Sequence, residues 1–242
     1  MKDLHCHALY GIDDGCETIE EAVYLLKKMS AAGVTDVVLT PHYIDGSNYS
    51  CNNRQKKTLL TKLKKKLSEE NIKIELYLGN EVMFTNDVLG LLDDKSIYPM
   101  NGSKYILFEF PMHNSYKSSG ETISELLSKG YTPILAHPER YRNFQEYPDL
   151  AEEYLRMGVL LQCNISSLFG KNGHAAKKLA KYYVKKGWYS FLGSDAHHEF
   201  NYDISKLEKK IKKLNKDEDY VHGLFEGNFE SVMNNEDLGM IR

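Results

Sequence analysis

Short apolar segments alternate with amphipathic helical segments along this chain. Thr18 and Glu21 have the spacing of a helix capping box, and apolar residues then recur at helical intervals until Gly33. The next segment, at 37–39, is a β-branched apolar run that is too short for a buried helix and suits a strand covered on both faces. Continued to the end of the chain, this alternation predicts strands at 2–4, 37–39, 74–78, 105–108, 133–136, 159–162 and 189–192.

The spacing of these strands predicts how they pair. Parallel neighbours need crossover connections of a dozen or more residues, and helices of that length separate the strands here. We therefore expect a mainly parallel sheet. With 242 residues and 42% hydrophobic content, the chain can bury one substantial core, so we expect residues 1–242 to form a single domain.

Charge and cysteine usage exclude several classes of protein. A net charge of -3 gives no basic field for nucleic acid or an anionic membrane. The lysine-rich stretches at 56–66 and 206–216 have leucine and isoleucine on the opposite face, which predicts solvated helix faces. Four cysteines without a CxxC pair favour a reducing compartment. No apolar run approaches the ~20 residues of a membrane helix, and the first histidine motif leaves no room for a signal peptide. We expect a soluble cytoplasmic protein without membrane insertion.

Potential metal ligands stand where the predicted strands end. The carboxyl ends of parallel barrel strands point to one face, so side chains distant in sequence converge there. The ligands are His5, His7, His42, Glu81, Glu109, His137, Asp195 and His197. Residues i and i+2 of a strand share a face, so the first two imidazoles can bind one ion.

The type and number of these ligands predict the chemistry. Mixed imidazole and carboxylate sets suit Zn, Mn or Fe, and they exceed the needs of one ion. Sites with two or three metals hydrolyse phosphate esters by activating water and stabilising the attacking and leaving oxygens. The sequence therefore predicts a metal-dependent phosphoric ester hydrolase.

A cysteine-based phosphatase mechanism is excluded by the cysteine settings. It needs a low-pKa thiolate in a phosphate-binding loop beside an arginine, and none of the four cysteines has that setting. Cys6 lies between His5 and His7 on a strand and faces the other way, so we expect it in the core.

Six motif segments carry a resemblance to a known family. The sequence resembles the polymerase-and-histidinol-phosphatase (PHP) superfamily, and specifically its bacterial protein-tyrosine phosphatases linked to capsule and exopolysaccharide synthesis. The matching segments keep the family's order over most of the chain. They are DLHCH with IDDG (3–7 and 12–15), TPH (40–42), GNE (79–81), FEFP (108–111), AHPERY (136–141) and GSDAH (193–197).

The resemblance implies a fold, a metal set and a mechanism. The fold is α/β, a distorted TIM-like (β/α)7 barrel of the PHP type. It holds two to three divalent ions, Mn by expectation with Fe or Zn as alternatives, and a hydroxide between metals attacks phosphorus. The implied ligands are His5, His7, Glu81 and Asp195 for the first metal, Glu81, Glu109 and His137 for the second, and Asp14, His42 and His197 for the third.

Arg140 completes the implied catalytic set with Glu81, Glu109 and Asp195. A guanidinium offers planar bidentate donors to phosphate oxygens, although a surface salt bridge is the alternative for Arg140. Members of the family commonly carry a further arginine after the last histidine motif, but residues 198–203 read HEFNYD and offer none.

Several neighbouring residues leave alternatives open. Asp13 adjoins Asp14, and the resemblance selects Asp14. Asn164 either lines the pocket or shapes a loop. The motif spacing favours His197 over His198, and the remaining histidines, His113, His174 and His222, are expected not to be ligands.

The leading functional hypothesis is hydrolysis of phosphotyrosine on a protein. The resemblance implies that the substrate is the tyrosine-rich tail of a bacterial tyrosine kinase that regulates polysaccharide synthesis. A histidinol-phosphate phosphatase, or another hydrolase of small phosphoesters, is the nearest enzymatic alternative. An amidohydrolase on a similar barrel and a catalytically silent regulatory module are alternatives of other classes, and the complete set of nine ligand positions disfavours the silent module.

Overall fold

The computed structural model describes residues 1–111 and 119–238. Within these ranges the strands are β1 (Lys2–Cys6), β2 (Asp36–Leu39), β3 (His42–Tyr43), β4 (Glu75–Leu78), β5 (Glu81–Met83), β6 (Tyr105–Glu109), β7 (Thr132–Ala136), β8 (Leu160–Asn164) and β9 (Phe191–Gly193). The helices are α1 (Ile19–Ala31), α2 (Asn53–Glu69), α3 (Val88–Asp93), α4 (Ser119–Ser128), α5 (Arg142–Glu146), α6 (Leu150–Met157), α7 (Ile165–Phe169), α8 (Gly173–Lys186), α9 (Ile204–Leu214), α10 (Glu218–His222) and α11 (Asn228–Met233).

The strands are parallel and follow one another around a barrel. Hydrogen bonding orders them β1-β2-β4 in one sheet and β3-β5-β6-β7-β8-β9 in the other. The last strand returns to the first, because the Asp195 amide donates to the His5 carbonyl at 2.8 Å and the His7 amide donates to the Ala196 carbonyl at 2.9 Å. The predicted TIM-like α/β barrel is confirmed.

Two of the predicted strands, at 37–39 and 74–78, are each followed after a two-residue break by a short strand that the sequence did not predict. β2 stops at Leu39 and resumes as β3 after Thr40-Pro41, while β4 stops at Leu78 and resumes as β5 after Gly79-Asn80. Pro41 has no amide hydrogen to donate to a neighbouring strand. Its carbonyl instead accepts from the Asn80 side chain at 2.9 Å and from the Glu81 amide at 3.2 Å. These breaks distort the barrel where His42 and Glu81 enter it.

Helices cover the outside of the barrel and close the end opposite the predicted site. α1 begins as predicted, since the Thr18 side chain accepts from the Glu21 amide at 3.2 Å. Within the barrel, Leu4, Val38 and Leu107 belong to a cluster that also includes Phe229 of α11. Packed side chains therefore close the barrel at the amino ends of its strands, and the functional side chains lie at the carboxyl ends.

One lysine departs from the predicted solvated face of α2. Lys56 is fully buried, and its Nζ donates to Asn80 Oδ1 at 2.6 Å. Burial lowers the pKa of Lys56 to about 8. The lysine-rich helix α9 follows the prediction, because Leu207 and Ile211 form its buried side. In the described part of the chain, no helix has the length and apolar character needed to cross a membrane.

Candidate metal centre

The strand ends bring the predicted ligands together at one face of the barrel. His5 lies in β1 and His7 directly after it, while His42 and Glu81 begin the short strands β3 and β5. Glu109 ends β6, and His137, Asp195 and His197 follow β7 and β9. Ligand atoms from seven of these residues and Asp14 form three overlapping groups, none of which includes His137. All ligand atoms within a group lie within 4.8 Å of one another, and the groups are His5, His7, Glu81 and Asp195; His42, Glu81 and Glu109; and His7, Asp14, His42 and His197.

The first group has the composition that the resemblance implies for the first metal. The Nε2 atoms of His5 and His7 lie 3.0 Å apart. Glu81 Oε2 is 3.1 Å from His5 Nε2 and 3.3 Å from His7 Nε2. Asp195 Oδ1 is 3.5 Å and 3.4 Å from the same two nitrogens. All four side chains are buried, so their charges interact in a region of low dielectric.

The second group differs from the implied one in its histidine. His42 Nδ1 lies 3.1 Å from both Glu81 Oε2 and Glu109 Oε1. His137, the implied ligand, places Nε2 2.9 Å from Glu81 Oε1 and 3.9 Å from Glu109 Oε2. Both imidazoles therefore face the carboxylate pair.

The third group contains the implied residues together with His7. Asp14 Oδ1 is 3.5 Å from His42 Nε2 and 3.4 Å from His197 Nε2. The rings of His7 and His197 are stacked with centroids 4.0 Å apart. Asp14 is half exposed, so this group lies at the rim of the cluster.

The orientation of the imidazoles fits divalent cations. His5, His7 and His197 each have Nδ1 next to an oxygen acceptor, namely Gln162 Oε1, Asp13 Oδ2 and the Asp195 carbonyl. A ring that donates from Nδ1 directs an unprotonated Nε2 into the cluster. Glu81 Oε2 and His42 Nδ1 are buried and, although 3.1 Å apart, form no hydrogen bond. Unprotonated nitrogens and carboxylate oxygens repel one another when they converge, and a metal ion between them removes that repulsion.

Charge in the cluster shifts the pKa values of its members in opposite directions. Burial opposes ionisation of Glu81, but His5 and His42 outweigh it and hold the pKa of Glu81 well below its usual range. Burial lowers the pKa of His42, yet Glu81 and Glu109 raise it to about 9. Despite burial, neighbouring carboxylates also raise the pKa of His5 and His7, so protons on these two histidines and on His42 balance the carboxylates in the metal-free protein, and cations that bind here displace those protons.

Asp13 and Asp14 have different roles in the geometry. Asp13 is turned toward the barrel, where its Oδ2 accepts from His7 Nδ1 at 2.8 Å and from the His42 amide at 3.0 Å. Asp14 instead faces the Nε2 atoms of His42 and His197. The sequence alone did not reveal the contacts of Asp13 with His7 and His42. Asp13 and Asp14 lie in a loop, where no repeating pattern indicates which of two adjacent side chains points inward.

Two polar residues of β8 support the cluster. Gln162 Oε1 lies 3.1 Å from His5 Nδ1, and Asn164 Nδ2 donates to Asp195 Oδ2 at 2.8 Å. The Asn164 side chain also accepts from the Ser166 amide at the start of α7, so it both contacts the ligand cluster and shapes the loop. Residues i and i+2 of a strand share a face, and this spacing was the available signal for Gln162.

Arg140 forms an ion pair inside the cluster rather than at a remote surface. Its Nη1 lies 2.6 Å from Asp195 Oδ2, and its side chain is 29% exposed. The preceding residue, Glu139, is buried and accepts from the Tyr189 hydroxyl at 2.8 Å and from the Asn164 amide at 3.0 Å. Glu139 thereby anchors the turn that holds Arg140 beside the cluster.

The backbone is constrained at two of the predicted ligands. His137 and Asp195 have φ values of 35° and 53°, in the left-handed region that non-glycine residues rarely adopt. Glycine is required nearby, because a Cβ on Gly15 would lie 2.1 Å from the His7 carbonyl oxygen and one on Gly193 would lie 2.6 Å from His5 Cβ.

The other nucleophiles and histidines lie outside this centre. Burial raises the pKa of all four cysteine thiols, to about 12 for Cys16 and well above the ordinary value for Cys6 and Cys163. His174 and His222 belong to none of the ligand groups in the described residues. His113 lies outside the residues that the structure describes.

A known protein family matches a range of this chain that includes all six motif segments. Residues 1–234 match the family model described as capsular polysaccharide synthesis, CpsB/CapC. The chain belongs to this family. It is 36% identical over 197 residues to the putative tyrosine-protein phosphatase CapC of Staphylococcus aureus, an alignment that covers 81% of this chain and 77% of that protein. The resemblance predicted from the motifs is confirmed.

Solved structures agree with the CpsB/CapC assignment. A structure reported with YwqE of Bacillus subtilis and CpsB of Streptococcus pneumoniae, described as unique metal-dependent tyrosine phosphatases, matches with a TM-score of 0.89 and 27% identity. The match covers 99% of this chain and 96% of that one. The histidinol phosphate phosphatase of Lactococcus lactis matches with a TM-score of 0.57 and 16% identity over 88% of this chain and 93% of its own, which shows a shared fold only.

Proposed function

We propose that this chain is a metal-dependent phosphatase that hydrolyses phosphotyrosine in a protein substrate. The observation that carries the proposal is the carboxylate and imidazole cluster centred on Glu81, which contacts His5, His7, His42 and His137 within 3.3 Å. Relatives of the CpsB/CapC family are named tyrosine-protein phosphatases, which supports phosphotyrosine as the substrate.

The nine predicted ligands would hold two to three divalent ions, with Mn the expected metal. Glu81 would bridge two of them, because its two oxygens face different histidines. The bound ions would lower the pKa of a water molecule and neutralise phosphate charge. His42 faces the second and third ligand groups from its two ring nitrogens, so it would fix their spacing.

Side chains around the cluster would orient the phosphate. Arg140 has a planar fork that matches two phosphate oxygens, and its contact with Asp195 places that fork at the edge of the metal site. Asn164 Nδ2 donates at 2.8 Å to the same oxygen, Asp195 Oδ2, so this oxygen would keep one hydrogen bond when Arg140 turns to phosphate.

An aromatic side chain at the rim favours an aryl phosphate over a small aliphatic ester. The Tyr49 ring is nearly parallel to that of His42, with an angle of 14° and centroids 6.1 Å apart. Because Tyr49 is only partly buried, its ring could also contact the phenyl ring of phosphotyrosine. Histidinol phosphate also carries an aromatic ring, so our ranking of phosphotyrosine above it rests on the relatives named tyrosine-protein phosphatases.

The protein substrate belongs to the same proposal. We propose that it is the tyrosine-containing tail of a bacterial kinase that regulates capsule or exopolysaccharide synthesis, consistent with the description of the CpsB/CapC family. A cytoplasmic location fits this pairing and the four unpaired cysteines.

The test is phosphate release from a phosphotyrosyl peptide by chelator-stripped protein, with Mn, Zn, Fe or Mg restored in separate reactions. We expect metal-dependent turnover that His137→Ala abolishes. His222→Ala is the matched control, because His222 is exposed and far from the ligand groups in sequence. If histidinol phosphate is hydrolysed and the peptide is not, the phosphotyrosine proposal is wrong; if neither is hydrolysed with any metal, the phosphatase proposal is wrong.

A further inference from the structure

A long stretch of this acidic protein contains no acidic residue. Residues 165–194 include six lysines, at 171, 177, 178, 181, 185 and 186, and no aspartate or glutamate, in a chain whose net charge is -3. Helices α7 and α8 and strand β9 lie in this stretch. Positive charge is therefore concentrated in α8 and in the turn that precedes it.

Four lysines meet at the end of α7, and we call Lys171, Lys177, Lys181 and Lys210 the lysine patch. Two of them stack on aromatic rings: Lys171 Nζ lies 4.5 Å from the centroid of the Tyr202 ring, and Lys210 Nζ lies 4.6 Å from that of Phe169. These two rings contact each other with centroids 5.4 Å apart. The ammonium groups are thus held by cation–π contacts on a continuous aromatic base.

The lysine patch lacks compensating negative charge. None of its four lysines forms an ion pair with any residue in the described ranges, whereas Lys206 and Lys212 of α9 pair with Asp203 and Glu208. Lys177 and Lys181 are one helical turn apart, a spacing at which like charges repel. Burial, followed by repulsion from Lys177 and Lys181, lowers the pKa of Lys210. An anion bound at the patch would relieve this repulsion.

The patch lies one short helix from the metal centre. Asn164 caps the start of α7 and binds Asp195 through its side chain, and α7 ends at Phe169 under Lys210. Tyr202 belongs to the segment after the last histidine motif, where the sequence has no arginine. Five helical residues span about 7 Å, which an extended peptide covers in about two residues, so side chains two to four residues from the phosphotyrosine are within reach of the patch.

We propose that the lysine patch binds acidic residues that flank the phosphotyrosine of a protein substrate. This inference rests on the proposed function. One extended peptide segment would then place its phosphate at the metal centre and its carboxylates, two to four residues away, at the lysine patch. The patch thereby selects peptides by charge and supplies attraction that the absent arginine does not.

The experiment compares two phosphotyrosyl peptides that differ only in glutamate or glutamine at the positions two to four residues on either side of phosphotyrosine. We expect kcat/KM of the metal-loaded protein to be about tenfold higher for the acidic peptide, as two to three exposed charge pairs can provide. In the K171E/K210E variant the ratio falls to about one. Raising the salt concentration from 50 to 500 mM reduces the ratio in the unaltered protein.

K28E/K186E is the matched control. Lys28 and Lys186 also stack on aromatic rings, 5.4 Å from the centroid of Tyr24 and 5.5 Å from that of Trp188, but they lie in the last turns of α1 and α8, away from the strand ends that carry the site. Both double variants change the net charge equally. We expect the control to keep the acidic preference.

Each outcome separates the two proposals. Equal turnover of both peptides by the unaltered protein overturns the docking inference and leaves the phosphatase proposal standing. No turnover of either peptide contradicts the phosphatase proposal itself. If both double variants lose the preference for the acidic peptide equally, the preference comes from net charge. That result also overturns the proposal that the lysine patch binds the acidic residues. Turnover of the glutamine peptide, measured in the same samples, reports that each variant is folded.

Discussion

Asp13→Asn tests whether a residue that is not itself a predicted metal ligand controls metal binding through the ligands that it contacts. The Asp13 carboxylate accepts three hydrogen bonds: Oδ2 from His7 Nδ1 at 2.8 Å and from the His42 amide at 3.0 Å, and Oδ1 from the Gly15 amide at 3.0 Å. Asparagine has one acceptor oxygen. Whichever way its amide turns, an NH₂ group then faces a donor.

The magnitude follows from these contacts. A carboxylate beside the outer nitrogen of a ligating histidine raises the basicity of the ring and fixes its tautomer, and losing it typically costs about 10- to 100-fold in metal affinity. That corresponds to about 1.4–2.8 kcal/mol. Because Asp13 also binds the His42 amide, we expect the larger value for ions that depend on both His7 and His42.

The assay is competition between metal-stripped protein and a chromophoric chelator, with Mn and Zn titrated separately. Asp93→Asn is the charge-matched control, because Asp93 is exposed at the end of α3. Asp14→Asn should weaken only the binding of the outermost ion, since Asp14 lies at the rim. If Asp13→Asn binds every ion as tightly as the unaltered protein does, the argument from the His7 tautomer is refuted.

Three further predictions concern Arg140, the metals and pH. Arg140→Lys should lower kcat/KM for a phosphotyrosyl peptide by about 10- to 150-fold, the equivalent of one charged hydrogen bond, without loss of bound metal by elemental analysis. Chelation should lower the Tm by about 5–10 °C in calorimetry, because ligand at 100 times its Kd adds about 2.7 kcal/mol and a domain of this size shifts about 2–4 °C per kcal/mol. In metal-free protein, the raised pKa of His42, about 9, adds stability that is complete below pH 6.5 and is lost as the pH rises to 9. Urea unfolding at both pH values, compared with His42→Gln, isolates that contribution.

Each of these predictions has a contrary result. Full activity of Arg140→Lys would show that a point charge suffices and that the planar fork is unimportant. An unchanged Tm after verified metal removal would mean that the cluster does not couple metal binding to folding. A pH dependence that persists unchanged in His42→Gln would assign the titration to other groups, such as the remaining histidines of the cluster.

Local pattern was sufficient to predict much of this molecule. The alternation of strands and helices predicted a mainly parallel sheet, because only crossover connections of that length join parallel neighbours, and the family resemblance implied that the sheet closes into a barrel. The motifs at the strand ends predicted the resemblance to capsule-linked protein-tyrosine phosphatases of the PHP superfamily and the residues that the structure brings together. In both cases the relevant information is periodic or contiguous in sequence, so it does not depend on how distant elements meet.

Only the tertiary structure decided how those side chains are oriented and shared. The strand breaks at Thr40-Pro41 and Gly79-Asn80 turn His42 toward two ligand groups, and the loop after His7 turns Asp13 inward. Lys56 looks like its solvated neighbours in sequence but is buried against Asn80. These contacts join segments tens of residues apart, and their distances depend on strand register and the packing of loops. The sequence by itself therefore determined which groups are available to the site, while the packing of the barrel determined which atoms face each other.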